Sequence, residues 1–502
     1  VGLAVLKSRA QFGADAPPVS IEVLLAGGLP NFAIVGMPEK AVRESKDRVR
    51  GAILSSKLDF PQSRIIVSLA PADMPKTGGR YDLAIALGIL AASDQIPAGP
   101  LADTEIYGEL ALDGAIRGVP GVLPAALRAA SAGHRMLVPA ANRTEAALAD
   151  AEVRVASTIL EVTAHVNGTC RLTPIERERP GVSSVAEPDL AEVRGQDHAK
   201  RALEIAAAGG HNVLFIGPPG TGKSMLARRL PGLLPVMSEA EALETAAVDS
   251  VLGLSLDLTR WRHRPFRAPH HTASAAAIVG GGSLPQPGEL SRAHNGVLFL
   301  DELPEFNRNV LEVLREPLET GTIAISRALR QAEFPADVQL VCAMNPCPCG
   351  YLGDDSGQCN CSADRVTNYR GKISGPLLDR IDLQVEVGRP STAAMRPNTP
   401  PGETSAEVAR RVRRARDIQL ARAGRCNARL DGKAIETYCP LGEDCLALLE
   451  AAVDKFRLSA RAYQRILRVA RTIADLANSE AIRVPHVAGA LSLRQLDKRR
   501  PA

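Results

Sequence analysis

Eight consecutive residues constrain this chain more than any other feature. Gly217, Pro218, Pro219, Gly220, Thr221, Gly222, Lys223 and Ser224 spell G-x-x-x-x-G-K-S. An apolar run from Asn212 to Ile216 precedes them, and a helical stretch begins near Ser224. That setting, strand then loop then helix, turns backbone N–H groups toward phosphate oxygens and predicts an α/β domain that binds ATP. Lys223 then reaches the β- and γ-phosphates, and the Ser224 hydroxyl binds Mg2+.

The partners such a loop needs follow in order. Gly296 to Glu302 is an apolar run ending in Asp301 and Glu302, the pattern of a buried parallel strand with acids at its tip. Asp301 suits the Mg2+ shell, and Glu302 suits orienting or deprotonating the attacking water. A further apolar run, Val338 to Met344, ends at Asn345, whose amide suits the γ-phosphate or that water. In Leu377-Leu-Asp-Arg-Ile-Asp382, Arg380 stands at a helix end. It is either a clamp on a neighbouring subunit's ATP or the partner of Asp379 or Asp382 in an ion pair.

At 502 residues and 45% apolar content, the chain is long enough for several domains. Residues 1–170 alternate apolar runs with helical stretches. The opening residues, Ile65–Leu69 and Arg135–Pro139 read as strands; Arg43–Ser56 and Gly121–Ala132 read as helices. Residues 171–194, rich in Pro, Glu, Arg and Ser, suit an exposed linker. The ATPase core is placed at 195–390 and an all-helical domain at 391–502. No apolar run reaches 18 residues and the first residues lack a signal-peptide pattern, so the cytoplasm is the expected location. A net charge of +4 neither demands nor excludes nucleic acid.

Four of the nine cysteines, Cys347, Cys349, Cys359 and Cys361, form C-x-C-x9-C-x-C. Four thiolates on a short loop can enclose a structural, tetrahedral Zn2+; reduced loop thiols are the alternative.

The order of these parts resembles the AAA+ pattern. More narrowly, the chain resembles Mg-chelatase-like AAA+ ATPases of the YifB/ComM type, the competence-protein family. The likeness is carried by Gly78–Leu83, Pro265–Thr272, Gly280–Gly282 with Pro287–Glu289, His294–Leu303, Met344–Gly350 and Ser374–Asp382. It implies a ring, usually a hexamer, with ATP hydrolysed between subunits and Arg380 acting in trans. It also implies a helical lid in which Arg461 lies near the γ-phosphate, with Arg465 and Arg468 as alternatives. The resemblance further implies a Lon-protease-like (ribosomal S5 domain 2-like) fold for residues 1–170. Asp82 stands where a protease carries serine, and Pro124 where it carries lysine, so no Ser–Lys dyad forms.

Two inserts also follow from the resemblance. Arg264–Gly282 is expected to be a mobile loop facing a ring channel. Glu319–Arg330 offers Arg327 and Arg330, which either meet phosphates or form a solvated face. His270 and His271 are expected to point opposite ways on an extended loop. The arginines between 407 and 429 either grip DNA phosphates or are solvated. The leading functional expectation is a DNA motor of the branch-migration or helicase type, in recombination or natural transformation. The alternative is the ATPase subunit of a magnesium-chelatase-like metal-insertion complex.

Overall fold

The structure is a computed structural model. It describes residues 2–494 except 183, 184, 186, 283, 284, 328, 329, 355, 356, 392–395, 397–399 and 401, and describes no side chains at 326–331. The side chains of Arg327 and Arg330 therefore lie outside the described residues.

The N-terminal region builds a seven-stranded mixed sheet. Its spatial order is Asn31–Val35, Arg64–Ala70, Pro18–Ala26, Gly2–Arg9, Thr104–Ile106, Arg135–Pro139, Val153–Ala156. Alternation sets which face is buried: Val19, Ile21, Val23 and Leu25 all point inward from one strand. Helix Asp82–Ala92 has no polar stripe and is buried along its whole length. Gly88 lets it settle on the sheet, since a Cβ there would come within 2.5 Å of Val23 Cγ2. Helices Ser45–Ser55 and Val122–Ser131 match the helical expectations to within two residues.

The second sheet is wholly parallel, in the order Phe266–Arg267, Val297–Leu300, Gln339–Met344, Val213–Ile216, Leu383–Glu386. Its three central strands are buried at every position, as apolar runs with helices on both faces must be. One face carries helix Asp197–Gly209 and, through it, the C-terminal helices Ser405–Ala423, Gly432–Tyr438, Glu443–Phe456, Ala460–Leu476 and Val484–Ser492. Leu203, Phe215, Val412, Ile466 and Val487 share one continuous core, so the helical region is fused to the sheet. A reciprocal cap starts its first helix: Thr404 Oγ1 accepts from Glu407 N, and Glu407 accepts from Thr404 N.

The stretch between Lys223 and Asp301 holds helix Glu239–Val251, which docks the N-terminal region. Gly121 N donates to Ser250 O at 2.7 Å, and Gln11 Nε2 donates to Val251 O at 3.1 Å. Leu123 and Leu148 pack with Met237, Ala242, Ala246 and Trp261 to close that junction. No helix among the described residues is long and apolar enough to cross a membrane.

Candidate functional site: a phosphate loop at one end of the parallel sheet

Because the core strands run parallel, residues that follow them gather at one end of the sheet. Gly217 follows Ile216, Asp301 follows Leu300, and Asn345 follows Met344. Gly217 has no room for a side chain, since a Cβ would lie 2.1 Å from Val387 O. Gly220 and Gly222 adopt left-handed φ of 78° and 89°, which glycine reaches without steric cost and which turns the loop back on itself. The helix then starts at Lys223, one residue before the expected position.

Lys223 is buried, and its ammonium donates to Gly217 O at 2.7 Å, Pro218 O at 2.8 Å and Asn345 Oδ1 at 3.3 Å. Burial pulls its pKa below the ordinary lysine value, partly countered by Asp301 and Glu302. An incoming triphosphate would add negative charge beside this ammonium and favour its charged form. Ser224 Oγ donates to Asp301 Oδ2 at 2.6 Å. These are the two groups expected to share a Mg2+ shell. Thr221 Oγ1 closes the loop on Pro218 O at 3.0 Å, and Gln196 Nε2 ties Thr221 O to Gly388 O.

Glu302 departs from a regular strand end. It sits at φ +54°, a costly conformation for a residue with a Cβ, and its carboxylate is exposed. His271 Nδ1 lies 3.1 Å from Glu302 Oε2. Sequence reasoning missed this partner. No sequence pattern marks it: His271 arrives there because it follows Phe266–Arg267, the strand that pairs with the Asp301 strand. The expected opposite orientation of His270 and His271 is corrected: their rings lie 4.1 Å apart. The chain turns at Thr272, where His270 Nδ1 contacts Thr272 Oγ1 at 2.9 Å, instead of running extended.

The Arg264–Gly282 segment is likewise folded onto the core. It contributes the edge strand Phe266–Arg267, a helix Ala275–Val279 with Ile278 buried, and residues Gly280–Gly281, which pair with Gln286–Pro287. Its arginines are occupied. Arg264 binds Glu241 and the carbonyls of Pro235 and Asn295; Arg267 binds Glu289 through two hydrogen bonds.

Arg380 lies elsewhere. Asn212 and Asp382 precede their strands, so they mark the opposite end of the sheet. Asn212 N donates to Asp382 Oδ2 at 3.1 Å, and Asn212 Nδ2 donates to Arg380 O at 2.8 Å. A four-residue strand separates this end from the phosphate loop by about 13 Å. The Arg380 guanidinium donates to Arg315 O at 3.0 Å and Pro376 O at 2.6 Å and pairs with Glu319 at 2.5 Å. Its ion-pair partner is thus neither Asp379 nor Asp382.

Arg461 requires a correction. It lines a cleft of about 370 Å³ with Arg380, Arg429, Arg465, Arg468 and Asp382, at the end of the sheet away from Lys223. The helix that carries it packs on Asp197–Gly209, and this carries its arginines to the Asp382 side. Arg465 is held there by Asp382 at 3.2 Å, whereas Arg461 is exposed. Burial alone would raise the Asp382 pKa. His211, Arg465 and Arg468 outweigh it and keep the carboxyl well below its usual range.

Three family models match in succession: "Subunit ChlI of Mg-chelatase" at residues 21–142, "Magnesium chelatase, subunit ChlI" at 189–395, and its C-terminal model at 402–494. Competence protein ComM of Haemophilus influenzae is 50% identical over 502 residues, covering 99% of this chain and 98% of that protein. The chain belongs to the ComM/YifB family of Mg-chelatase-like AAA+ proteins. YifB of Escherichia coli is 46% identical over 99% of this chain and 98% of its own length. The magnesium-chelatase 38 kDa subunit of Cereibacter sphaeroides is more distant, 26% identical over 58% of this chain and 86% of that subunit. Membership implies use of a nucleotide and Mg2+. The parallel sheet with its fused helical region is the Mg-chelatase-like AAA+ domain.

Among the arginines of residues 407–429, several are consumed internally. Arg411 binds Glu204 and Glu403, Arg416 donates to Ala207 O, and Arg422 binds Asp475. Arg410, Arg413 and Arg414 remain exposed on the outer face.

Proposed function

We propose that this chain is an ATP-hydrolysing AAA+ ring motor that acts on DNA, of the branch-migration or helicase type. The observation that carries the ATPase half is the gathering of Lys223, Ser224, Asp301 and Asn345 at one end of the sheet while Arg380 and Arg461 share a cleft at the other. One protomer holds the phosphates through Lys223, and a neighbour in a closed ring supplies a second cation. Arg380 acts in trans, and by its position Arg461 does too. In the reaction, Lys223 and the loop N–H groups hold the phosphates, Ser224 and Asp301 would hold Mg2+, which would offset phosphate charge, Glu302 takes the proton of the attacking water, and Asn345 fixes its line of approach.

The DNA half rests on the full-length likeness to a competence protein and on the exposed arginines of helix Ser405–Ala423. Binding of this kind follows the phosphate backbone and weakens with salt. The N-terminal region is read as a Lon-protease-like fold without a dyad. Asp82 is fully buried and held by Ser45, by Arg48 Nε at 2.7 Å and by Leu110 N at 3.3 Å, and Pro124 lies inside a helix. A carboxylate fixed in this way performs a structural task.

The test is ATPase turnover of purified protein with no DNA, single-stranded DNA and branched DNA over a salt series. Stimulation that falls as salt rises is expected. Turnover indifferent to every DNA, with stimulation by a porphyrin-binding partner subunit, would favour the metal-insertion reading, which the distant chelatase likeness supports.

A further inference from the structure

The four-cysteine loop leaves the sheet directly after Asn345. Its thiols converge although no disulfide joins them. Cys347 Sγ lies 3.3 Å from Cys349 Sγ and 3.8 Å from Cys359 Sγ, Cys349 and Cys359 are 3.6 Å apart, and all four sulfurs fall within 4.8 Å of one another. A disulfide would bring two of them to about 2.05 Å. A tetrahedron with Zn–S bonds of about 2.3 Å sets its sulfurs roughly 3.8 Å apart. The observed spacing is therefore that of a thiolate cage. Tight turns make it possible: Gly350, Gly353 and Gly357 all have left-handed φ, and Gly350 N donates to Cys347 O at 3.0 Å. Cys347 is fully buried at the base of the loop.

The cage leans on the nucleotide site. Asn345, two residues before Cys347, contacts the Lys223 ammonium at 3.3 Å. A Cβ on Gly350 would come within 2.8 Å of Pro219 Cδ, so the turn between the first cysteines rests against the phosphate loop itself. The periphery suits a net-negative tetrathiolate centre. Arg370 donates to Pro346 O at 3.2 and 3.1 Å, while Arg389 stands over the Tyr351 ring and pairs with Asp354 at 3.2 Å.

We propose that Cys347, Cys349, Cys359 and Cys361 bind one zinc ion that clamps the loop onto Pro219 and fixes Asn345, so that metal binding and nucleotide binding are linked. The metal is structural: four thiolates fill its tetrahedron and leave no position for a substrate. Binding releases protons from the thiols that were protonated beforehand, and no oxidant or reductant takes part. The linkage half rests on the reading of Gly217–Ser224 as the ATP site; the metal half does not.

The experiment measures metal content and nucleotide affinity on the full chain. Protein purified from zinc-supplemented cells is expected to carry one zinc per chain by mass spectrometry, and Cys361→Ser, at the outer edge, to lose most of it. Zinc release from folded wild type by a thiol-titrating mercurial, followed with a zinc dye, should weaken binding of a fluorescent ADP roughly tenfold, the scale on which metal-site perturbations act. By the same linkage, saturating ADP should slow zinc release. Circular dichroism before and after release distinguishes a local effect from unfolding. Metal-free wild type, or a Cys347–Cys359 or Cys349–Cys361 disulfide in its place, overturns the metal site. Zinc present, with ADP affinity unchanged within twofold after its removal from still-folded protein, overturns the clamp. Lys223→Ala separates the two readings: it should keep its zinc while losing ADP.

Discussion

The two ends of the parallel sheet differ in how their charges are balanced. At the phosphate-loop end, the cationic and hydroxyl side chains turn on their own surroundings: Lys223 donates to its own loop carbonyls, and Ser224 to Asp301. At the other end the charges are out of balance. Arg380, Arg429, Arg461, Arg465 and Arg468 line one cleft in which Asp382 and Asp431 are the charged acids besides Glu319. One end offers a phosphate cradle around a single buried lysine; the other offers more cations than acids. The difference is what the proposed split of a catalytic centre between neighbouring copies requires.

The sharpest way to break that comparison is Arg380→Ala. A cation supplied across an interface is worth about 10³–10⁵ in turnover. The variant is expected to bind ATP as the wild type does and to lose turnover on that scale. Mixing it with Lys223→Ala protein should restore activity at interfaces where an intact Arg380 faces an intact Lys223. Mixtures as inactive as either parent would mean that Arg380 does not act across the interface. Glu302→Gln probes the opposite end. It should bind ATP normally and hydrolyse it about 10²–10⁴-fold more slowly, the contribution of a positioned general base. Single-turnover kinetics would expose the defect, and a parental rate would remove Glu302 from the chemistry.

Asp382→Asn sharpens the comparison by testing what holds the arginine end in place. Arg465 and the buried Asp382 form an ion pair with His211 Nδ1 3.5 Å from the carboxylate. Removing one member of such a pair costs about 3–5 kcal/mol, because the other charge stays buried and unmatched. Urea unfolding should show a loss of that size. The pH dependence has a definite sign. A carboxyl whose pKa is depressed on folding stabilises fully above its unfolded pKa, about 3.9, and loses that contribution as the pH falls toward its folded value. Wild type should lose stability on acidification below about pH 4 more steeply than the variant. Parallel acid titrations would show that Asp382 does not carry the effect.

How far each end could be read from sequence follows from the range of the interactions. The phosphate loop is local: eight residues and their flanking strand and helix determine its shape, and Asp301 and Asn345 follow because parallel strands must end together. The placement of Arg461 is not local. It depends on how helix Ala460–Leu476 packs against Asp197–Gly209 some 250 residues earlier in the chain. Periodicity shows that helix has a buried face but not which end of the sheet it overlies. Charge composition leaves this open in the same way, since only the fold shows that Arg264, Arg267, Arg411, Arg416 and Arg422 are used internally. The cysteine cage was visible as a pattern, but its contact with Pro219 depends on the path of the loop.

The smallest expected effect concerns His271, which only the folded chain reveals. Its ring nitrogen is 3.1 Å from the Glu302 carboxylate, and both groups are partly open to solvent. A pair of that exposure is worth about 0.2–1 kcal/mol. His271 therefore restrains weakly an acid that sits at φ +54°. His271→Ala should raise turnover in the absence of DNA by at most about fivefold, the rate equivalent of 1 kcal/mol, and leave ATP affinity unchanged. Steady-state ATPase assays paired with equilibrium ADP binding separate the two quantities. A drop in turnover instead of a rise would mean that His271 helps aim Glu302 during the reaction, and the restraint would have to be assigned the opposite role.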